Sequence, residues 1–101
     1  MKLGQRTPWG KAQDITGIGE GLWWVSTASH GGVKLDAKRN RLIPQAARMP
    51  GGWYEEDCKW AIAAHVLPEV EAMICACRKT IEATLRRYES AESLKSLGLA
   101  P

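Results

Sequence analysis

The stretch that decides the fold is Gly51-Gly52-Trp53-Tyr54-Glu55-Glu56-Asp57-Cys58-Lys59-Trp60. It places two glycines, three large aromatics, three consecutive carboxylates and a thiol within ten residues. A Pro50-Gly51-Gly52 corner permits a sharp change of chain direction. The apolar spacing that follows predicts a helix from about Trp53 or Tyr54 to Val66. On that reading Glu55, Glu56 and Asp57 occupy the first turn, where carboxylates complement the positive end of the helix dipole. Trp53 and Trp60 then supply the packing surface of the corner.

Downstream, Pro68 suits the first turn of a second helix, since its missing N–H costs nothing there. Val70, Ile74, Cys77, Ile81, Leu85 and Tyr88 recur at spacings of three and four. This stripe predicts one helix from about Glu69 to Glu89. It serves either as the domain's own core or as a homodimer face, so the chain is expected to be a monomer or a homodimer. Ser90 is placed to cap a last helix, Ala91 to Leu97, stopped by Gly98.

Upstream, Gly19-Glu20-Gly21 supplies a tight turn between a segment around Ile15 and the run Leu22-Trp23-Trp24-Val25-Ser26-Thr27. The second run is β-branched and aromatic, so the pair reads as a hairpin. Leu22, Trp24 and Ser26 share one face of it, and Trp23, Val25 and Thr27 the other. Val33-Lys34-Leu35 is a third short strand. Asp36 is an N-cap for a helix over Ala37–Ile43 that Pro44 ends, and Gln45–Met49 adds a further helical turn. Residues 1–11 are a turn-rich lead-in with Trp9 tucked against the core. The expected fold is α+β: a small antiparallel sheet of two or three strands packed on a mainly helical C-terminal half. One domain spans 1–101, with a β-hairpin region at about 12–35 and a helical region at about 36–97.

Of 101 residues, 45% are hydrophobic and 25% charged, a balance that supports a folded core rather than a disordered chain. The net charge of +3 lets the chain touch nucleic acid without the concentrated positive charge of a dedicated binder. No run approaches the ~20 apolar residues of a membrane span, and the first residues carry no apolar signal core. Three cysteines without a signal peptide predict reduced thiols in a cytoplasmic compartment.

No catalytic, metal or cofactor site emerges. Ser29 and His30 are neighbours, and neighbours on a strand point to opposite faces. A hydrolase built on Ser29, His30 and Cys58 therefore lacks the turn that presents a nucleophile. Backbone satisfaction at a strand end explains these hydroxyls better. Cys58 and His65 lie two helical turns apart, roughly 10 Å. Cys75 and Cys77 diverge by about 200° on one helix, which excludes a disulfide or a shared metal. Gly17-x-Gly19-x-Gly21 has no Gly-Lys-Ser/Thr after it and is no phosphate loop. Two charge groupings remain. Tyr54, Glu55, Glu56 and Asp57 offer an acidic partner-binding surface. Lys34, Lys38, Arg39 and Arg41, with Arg78, Lys79, Arg86 and Arg87 on the long helix, offer basic patches for nucleic-acid phosphates.

Three ordered segments carry a resemblance: Thr7-Pro8-Trp9-Gly10, Ser26-Thr27-Ala28-Ser29-His30-Gly31-Gly32 with Leu35, and Gly52-Trp53-Tyr54-Glu55-Glu56-Asp57-Cys58 with Trp60-Ala61. Together they resemble an uncharacterised domain of proteobacterial plasmids, integrated elements and phages. The resemblance covers residues 7–67 and leaves the helix from Glu69 onward outside. It implies a genomic setting and no catalytic residues. In that setting the expected function is a small non-enzymatic accessory protein that binds and inhibits a host defence complex, as anti-CRISPR proteins do to a CRISPR–Cas effector. The alternative is a small DNA- or RNA-binding regulator using the basic patches.

Overall fold

The computed structural model describes residues 1–100. Its centre is a four-stranded antiparallel sheet of β3 (Asp14–Gly19), β4 (Leu22–Ser26), β5 (Gly31–Leu35) and β6 (Trp53–Glu55), in that spatial order. A separate two-stranded hairpin, β1 (Arg6–Thr7) with β2 (Gly10–Lys11), precedes it. The helices are α1 (Ala37–Asn40), α2 (Trp60–Val66), α3 (Pro68–Ile74), α4 (Arg78–Tyr88) and α5 (Ala91–Ser96). The class is α+β, with a sheet larger than the two or three strands expected.

The difference lies in the deciding stretch. Trp53-Tyr54-Glu55 is a strand, with Tyr54 opposite Val33 and Trp53 opposite Lys34. Aromatic residues suit a pleated surface, and alternation sends Tyr54 inward while Trp53 and Glu55 face out. A single helical turn of 3₁₀ type, Pro50–Gly52, delivers the chain to this strand, with Gly51 at φ 68° and Gly52 at φ 78°. Helix α2 begins only at Trp60 and has no acidic residue in its first turn. The helix-dipole role for Glu55, Glu56 and Asp57 is thereby overturned.

The second correction concerns the long helix. It breaks between Ile74 and Arg78, where Cys75 adopts φ 59°. A straight rod of 21 residues would be about 31 Å long, whereas α3 and α4 both pack on the seven-residue α2. The break brings Val70 of α3 and Ile81 and Leu85 of α4 into the same core, while Cys77 and Tyr88 leave the stripe and are exposed. With the rod broken, the divergence expected for Cys75 and Cys77 along one helix no longer applies.

Local signals near the helix ends hold. Asp36 accepts from the Arg39 N–H (2.8 Å), and Ser90 accepts from the Ser93 N–H (3.1 Å). Helix α1 is shorter than expected because the chain tightens into i→i−3 bonds, Leu42 to Arg39 and Ile43 to Asn40, and turns Ile43 into the core. The residues after Pro44 likewise form turns rather than a helix.

One face of the sheet, Leu22, Val33, Leu35 and Tyr54 with half-buried Trp24, packs on Ala61–Ala64, Leu67, Val70, Ile81, Leu85, Leu94 and Leu97. The other face carries Trp23, Val25, Lys34, Trp53 and Glu55. No helix among the described residues is long and apolar enough to cross a membrane.

Candidate functional site

The outer face of the sheet is organised by Gly32. A Cβ there would lie 2.7 Å from Cη2 of Trp9, 2.9 Å from Cα of Glu55, and against the Tyr54 carbonyl. Only the absence of a side chain lets the Trp9 indole lie on the sheet at this point. The β1–β2 hairpin holds Trp9 in place. Thr7 Oγ1 donates to the Gly10 carbonyl (2.8 Å) and accepts from the Trp9 N–H (3.1 Å). Thr27 Oγ1 lies 3.0 Å from the Trp9 carbonyl and 2.7 Å from that of His30, and the Ser29 hydroxyl donates to the Trp9 carbonyl (3.3 Å). Thus Thr27 and Ser29 satisfy backbone groups and tie the N-terminal hairpin to the β4–β5 turn.

Trp9 meets Trp53 edge to face, with centroids 5.5 Å apart and planes at 84°. This is a favoured aromatic geometry. The two indoles, with Pro8, Met49 and Pro50, form the walls of a cleft of about 420 Å³. Glu55, Cys58 and Lys59 complete it. Lys59 donates to Glu89 Oε2 (2.7 Å), whose side chain is only 4% exposed, so the lysine charge is already matched. Glu55 accepts from the Asp57 N–H (3.3 Å) and has no cationic partner within ion-pair distance among the described residues. Burial, then the Glu55 charge, pushes the Cys58 thiol up and keeps it protonated. Lys34 lies over the Trp53 ring, 4.4 Å from its centroid, and donates to the Gly51 carbonyl. Burial lowers its pKa, with Asp36 acting in the opposite direction.

The acidic surface expected at residues 54–57 is divided by strand alternation. Tyr54 is fully buried and so cannot itself touch a partner. Its hydroxyl donates to Asn40 Oδ1 (2.6 Å) and accepts from the Met49 N–H (3.1 Å). Glu55 is half-buried at the cleft, while Glu56 and Asp57 are exposed in the turn that follows. Neither Glu56 nor Asp57 has an ion-pair partner among the described residues.

The basic residues do not gather into one field. Lys34 is committed to Trp53 and Gly51, and Arg39 pairs with Glu20 and Asp36. Arg78 donates to Glu71 (2.6 Å) and to His65 Nδ1 (2.6 Å), while His65 Nε2 donates to the Leu97 carbonyl (2.8 Å). Arg86 pairs with Glu82 on its own helix. Lys38, Arg41, Lys79 and Arg87 are exposed without an ion pair among the described residues. Arg78, Lys79 and Arg86 border a shallow groove on α4 with Glu82 and Ala83. No hydrogen bond among the described residues joins Ser29, His30 and Cys58, the residues of the hydrolase reading. Nor do three His, Cys, Asp or Glu side chains converge in metal-binding geometry there.

The ordered elements that build this cleft run from the first hairpin to Glu89, and a family profile spans the same length, matching residues 2–97. The chain belongs to the DUF7007 family, a domain of unknown function. The match includes α3 to α5, which corrects the expectation that the family likeness ends near residue 67. No curated protein and no solved structure matches the chain.

Sequence reasoning missed the cleft itself. Trp9 is distant in sequence from Met49 and Trp53, and the two segments meet only in the fold. The available signal was Gly31-Gly32, since glycine within a strand marks a place where another group comes close.

Proposed function

We propose that this DUF7007 domain is a non-enzymatic binding module that docks on a protein complex of its host cell and inhibits it. The observation that carries the reading is the unpaired Glu55 carboxylate in the lining of an aromatic cleft, followed in the chain by exposed, unpaired Glu56 and Asp57. A half-buried apolar patch beside unneutralised charge is the composition of a protein-docking surface, with aromatics for affinity and charges for orientation. The chain's net positive charge does not oppose this, because docking responds to the local field.

The finer identity of the partner as a defence complex, and specifically a CRISPR–Cas effector, draws on the resemblance to domains carried by plasmids and phages. Inhibition would follow from covering a basic nucleic-acid channel or a subunit contact with the acidic rim. Affinity capture from a bacterial lysate containing defence systems, compared with the Glu55→Ala/Glu56→Ala/Asp57→Ala variant, tests the docking surface. The expected result is a complex retained by the wild type and lost by the variant, whose circular dichroism stays unchanged. Equal capture by both proteins would overturn it. Undiminished target cleavage by purified Cas effectors in the presence of the protein would overturn the narrower identity.

A second reading, a small nucleic-acid-binding regulator, is favoured by the α4 groove bordered by Arg78, Lys79 and Arg86, with Arg87 beside it on the same helix. It requires a mobility shift that weakens steeply with salt. Absence of a shift at low salt removes it.

A further inference from the structure

The cleft also says what kind of group it would receive, and this inference rests on the docking role proposed above. Two indoles stand at 84° to each other, one on the floor over Gly32 and one rising from β6. Proline and methionine side chains extend the apolar walls. At about 420 Å³ the cleft lies within the roughly 300–1,000 Å³ range of ligand pockets.

Beside the lining, the Lys34 ammonium already lies over the Trp53 ring and donates to the Gly51 carbonyl, so the electrostatics of the cleft are set by where its own charges are matched. Of the two charged side chains in the lining, Lys59 is neutralised by Glu89, and Glu55 has no cation of its own among the described residues. The Cys58 thiol, held protonated, adds no charge. The cleft therefore combines aromatic surface with one unmatched carboxylate, flanked by exposed Glu56 and Asp57. An anion would meet repulsion there, and an apolar side chain would leave the carboxylate unpaired and partly desolvated. A flat cation satisfies both parts. A guanidinium stacks on an indole through its face and donates two parallel hydrogen bonds to a carboxylate through its edge. An ammonium supplies only a compact point charge and would have to shed a strongly held hydration shell.

We propose that the Trp9–Trp53 cleft is a receptor for an arginine side chain of the partner protein, with Glu55 as its counter-ion. The guanidinium would stack on the indole surface that the cleft exposes, beside the edge-to-face contact of Trp9 with Trp53, and Glu56 and Asp57 would steer basic segments of the partner toward it. The same chemistry explains how a domain of net positive charge engages a basic protein surface: one aromatic-lined carboxylate faces one guanidinium at close range.

The test is a titration of the full ¹⁵N-labelled chain with acetyl-Gly-Arg-Gly-amide, followed through the indole N–H signals of Trp9 and Trp53. The matched peptide containing citrulline, which keeps the shape and loses the charge, serves as control. Binding is expected with a dissociation constant on the order of millimolar, moving both indole signals and leaving that of Trp24 in place. The citrulline peptide and the Glu55→Gln variant should each bind about tenfold more weakly. Glu55→Gln keeps the fold, because a glutamine carbonyl can accept from the Asp57 N–H as the carboxylate does. Equal binding of the citrulline peptide, an unaffected Glu55→Gln titration, or no shift at peptide concentrations on the order of 10 mM overturns the assignment. If the peptide fails while the triple acidic variant still loses the captured complex, the arginine receptor falls and the docking role stands. If the peptide binds while that variant keeps the complex, the docking role falls instead.

Discussion

Replacing Tyr54 by phenylalanine removes one oxygen and tests the central structural claim, that residues 53–55 form a strand with Tyr54 inside. The hydroxyl donates to Asn40 Oδ1 at 2.6 Å and accepts from the Met49 N–H at 3.1 Å. It joins the end of α1 to the loop before β6. Phenylalanine fills the same space, so no cavity contributes. The cost is that of two partners left without their bond. Asn40 and Met49 are half-buried, and water can satisfy them in part. Leaving a buried polar group unpaired costs about 1–3 kcal/mol, and this range applies to the pair together. For a domain of this size, the shift is about 4–20 °C in Tm.

The effect has a pH signature. Burial raises the Tyr54 phenol above its ordinary value, outweighing the Met49 hydrogen bond and the Arg48 charge, which lower it. The fold therefore prefers the neutral phenol. That contribution is complete below the unfolded value of about 10 and is lost as pH rises through the raised folded value. Urea unfolding of both proteins at pH 7 and at pH above about 10 reads it: the stability gap should narrow at the higher pH, because only the wild type carries the phenol. The variant should still capture whatever the wild type captures, since Tyr54 has no exposed surface. Stability within about 0.5 kcal/mol of wild type at pH 7 would refute the buried-hydroxyl reasoning. So would lost capture with unchanged stability, which would place Tyr54 on the surface.

Two further outcomes follow from the ion pair and the thiols. Lys59→Met strands the nearly buried Glu89 carboxylate with only the Ser93 hydroxyl as partner (2.7 Å). It should cost about 2 kcal/mol, less than the roughly 3–5 of a fully buried pair because the Lys59 side chain is 30% exposed. Adding Glu89→Gln should recover much of the loss in denaturant unfolding, and a purely additive double variant would deny the coupling. Among the thiols, Cys77 should react with iodoacetamide fastest near neutral pH and Cys58 slowest. The Thr80 side chain lowers the Cys77 pKa, so its thiolate forms at lower pH, while burial and Glu55 raise that of Cys58. Thr80→Ala should move the Cys77 rate profile to higher pH, as followed by peptide mass mapping.

Features determined within one turn of the chain were legible in the sequence. Asp36 and Ser90 cap helices because a short polar side chain reaches only its own first turn, so nothing distant can alter the result. Gly19-Glu20-Gly21 joined two strands for the same reason. The misreadings arose where a local pattern had two physical meanings. Glu55-Glu56-Asp57 fits a helix start, yet a three-residue strand is too short to display its period of two, and pairing with β5 decides the matter. Val70, Ile74, Ile81 and Leu85 keep helical spacing across Cys75, so the stripe gives no sign of the break. That break is imposed by the need of both α3 and α4 to cover one short helix.

The alternation of β6 also explains why fold and candidate site cannot be separated here. Tyr54 points inward and fixes the strand to α1, which holds Trp53 and Glu55 outward at the cleft. Trp9 reaches the same cleft only because the N-terminal hairpin crosses Gly32, and the Lys59 charge is balanced there only because the end of α4 brings Glu89 to it. A segment limited to residues 7–67 would keep both indoles but lack Glu89. Lys59 would then be free to pair with Glu55 and cancel the charge that defines the cleft. The family match, from residue 2 to residue 97, takes in the whole lining of this cleft together with Glu89. The end of α4 takes part in the site by lending Lys59 its counter-ion, the nearly buried Glu89 carboxylate.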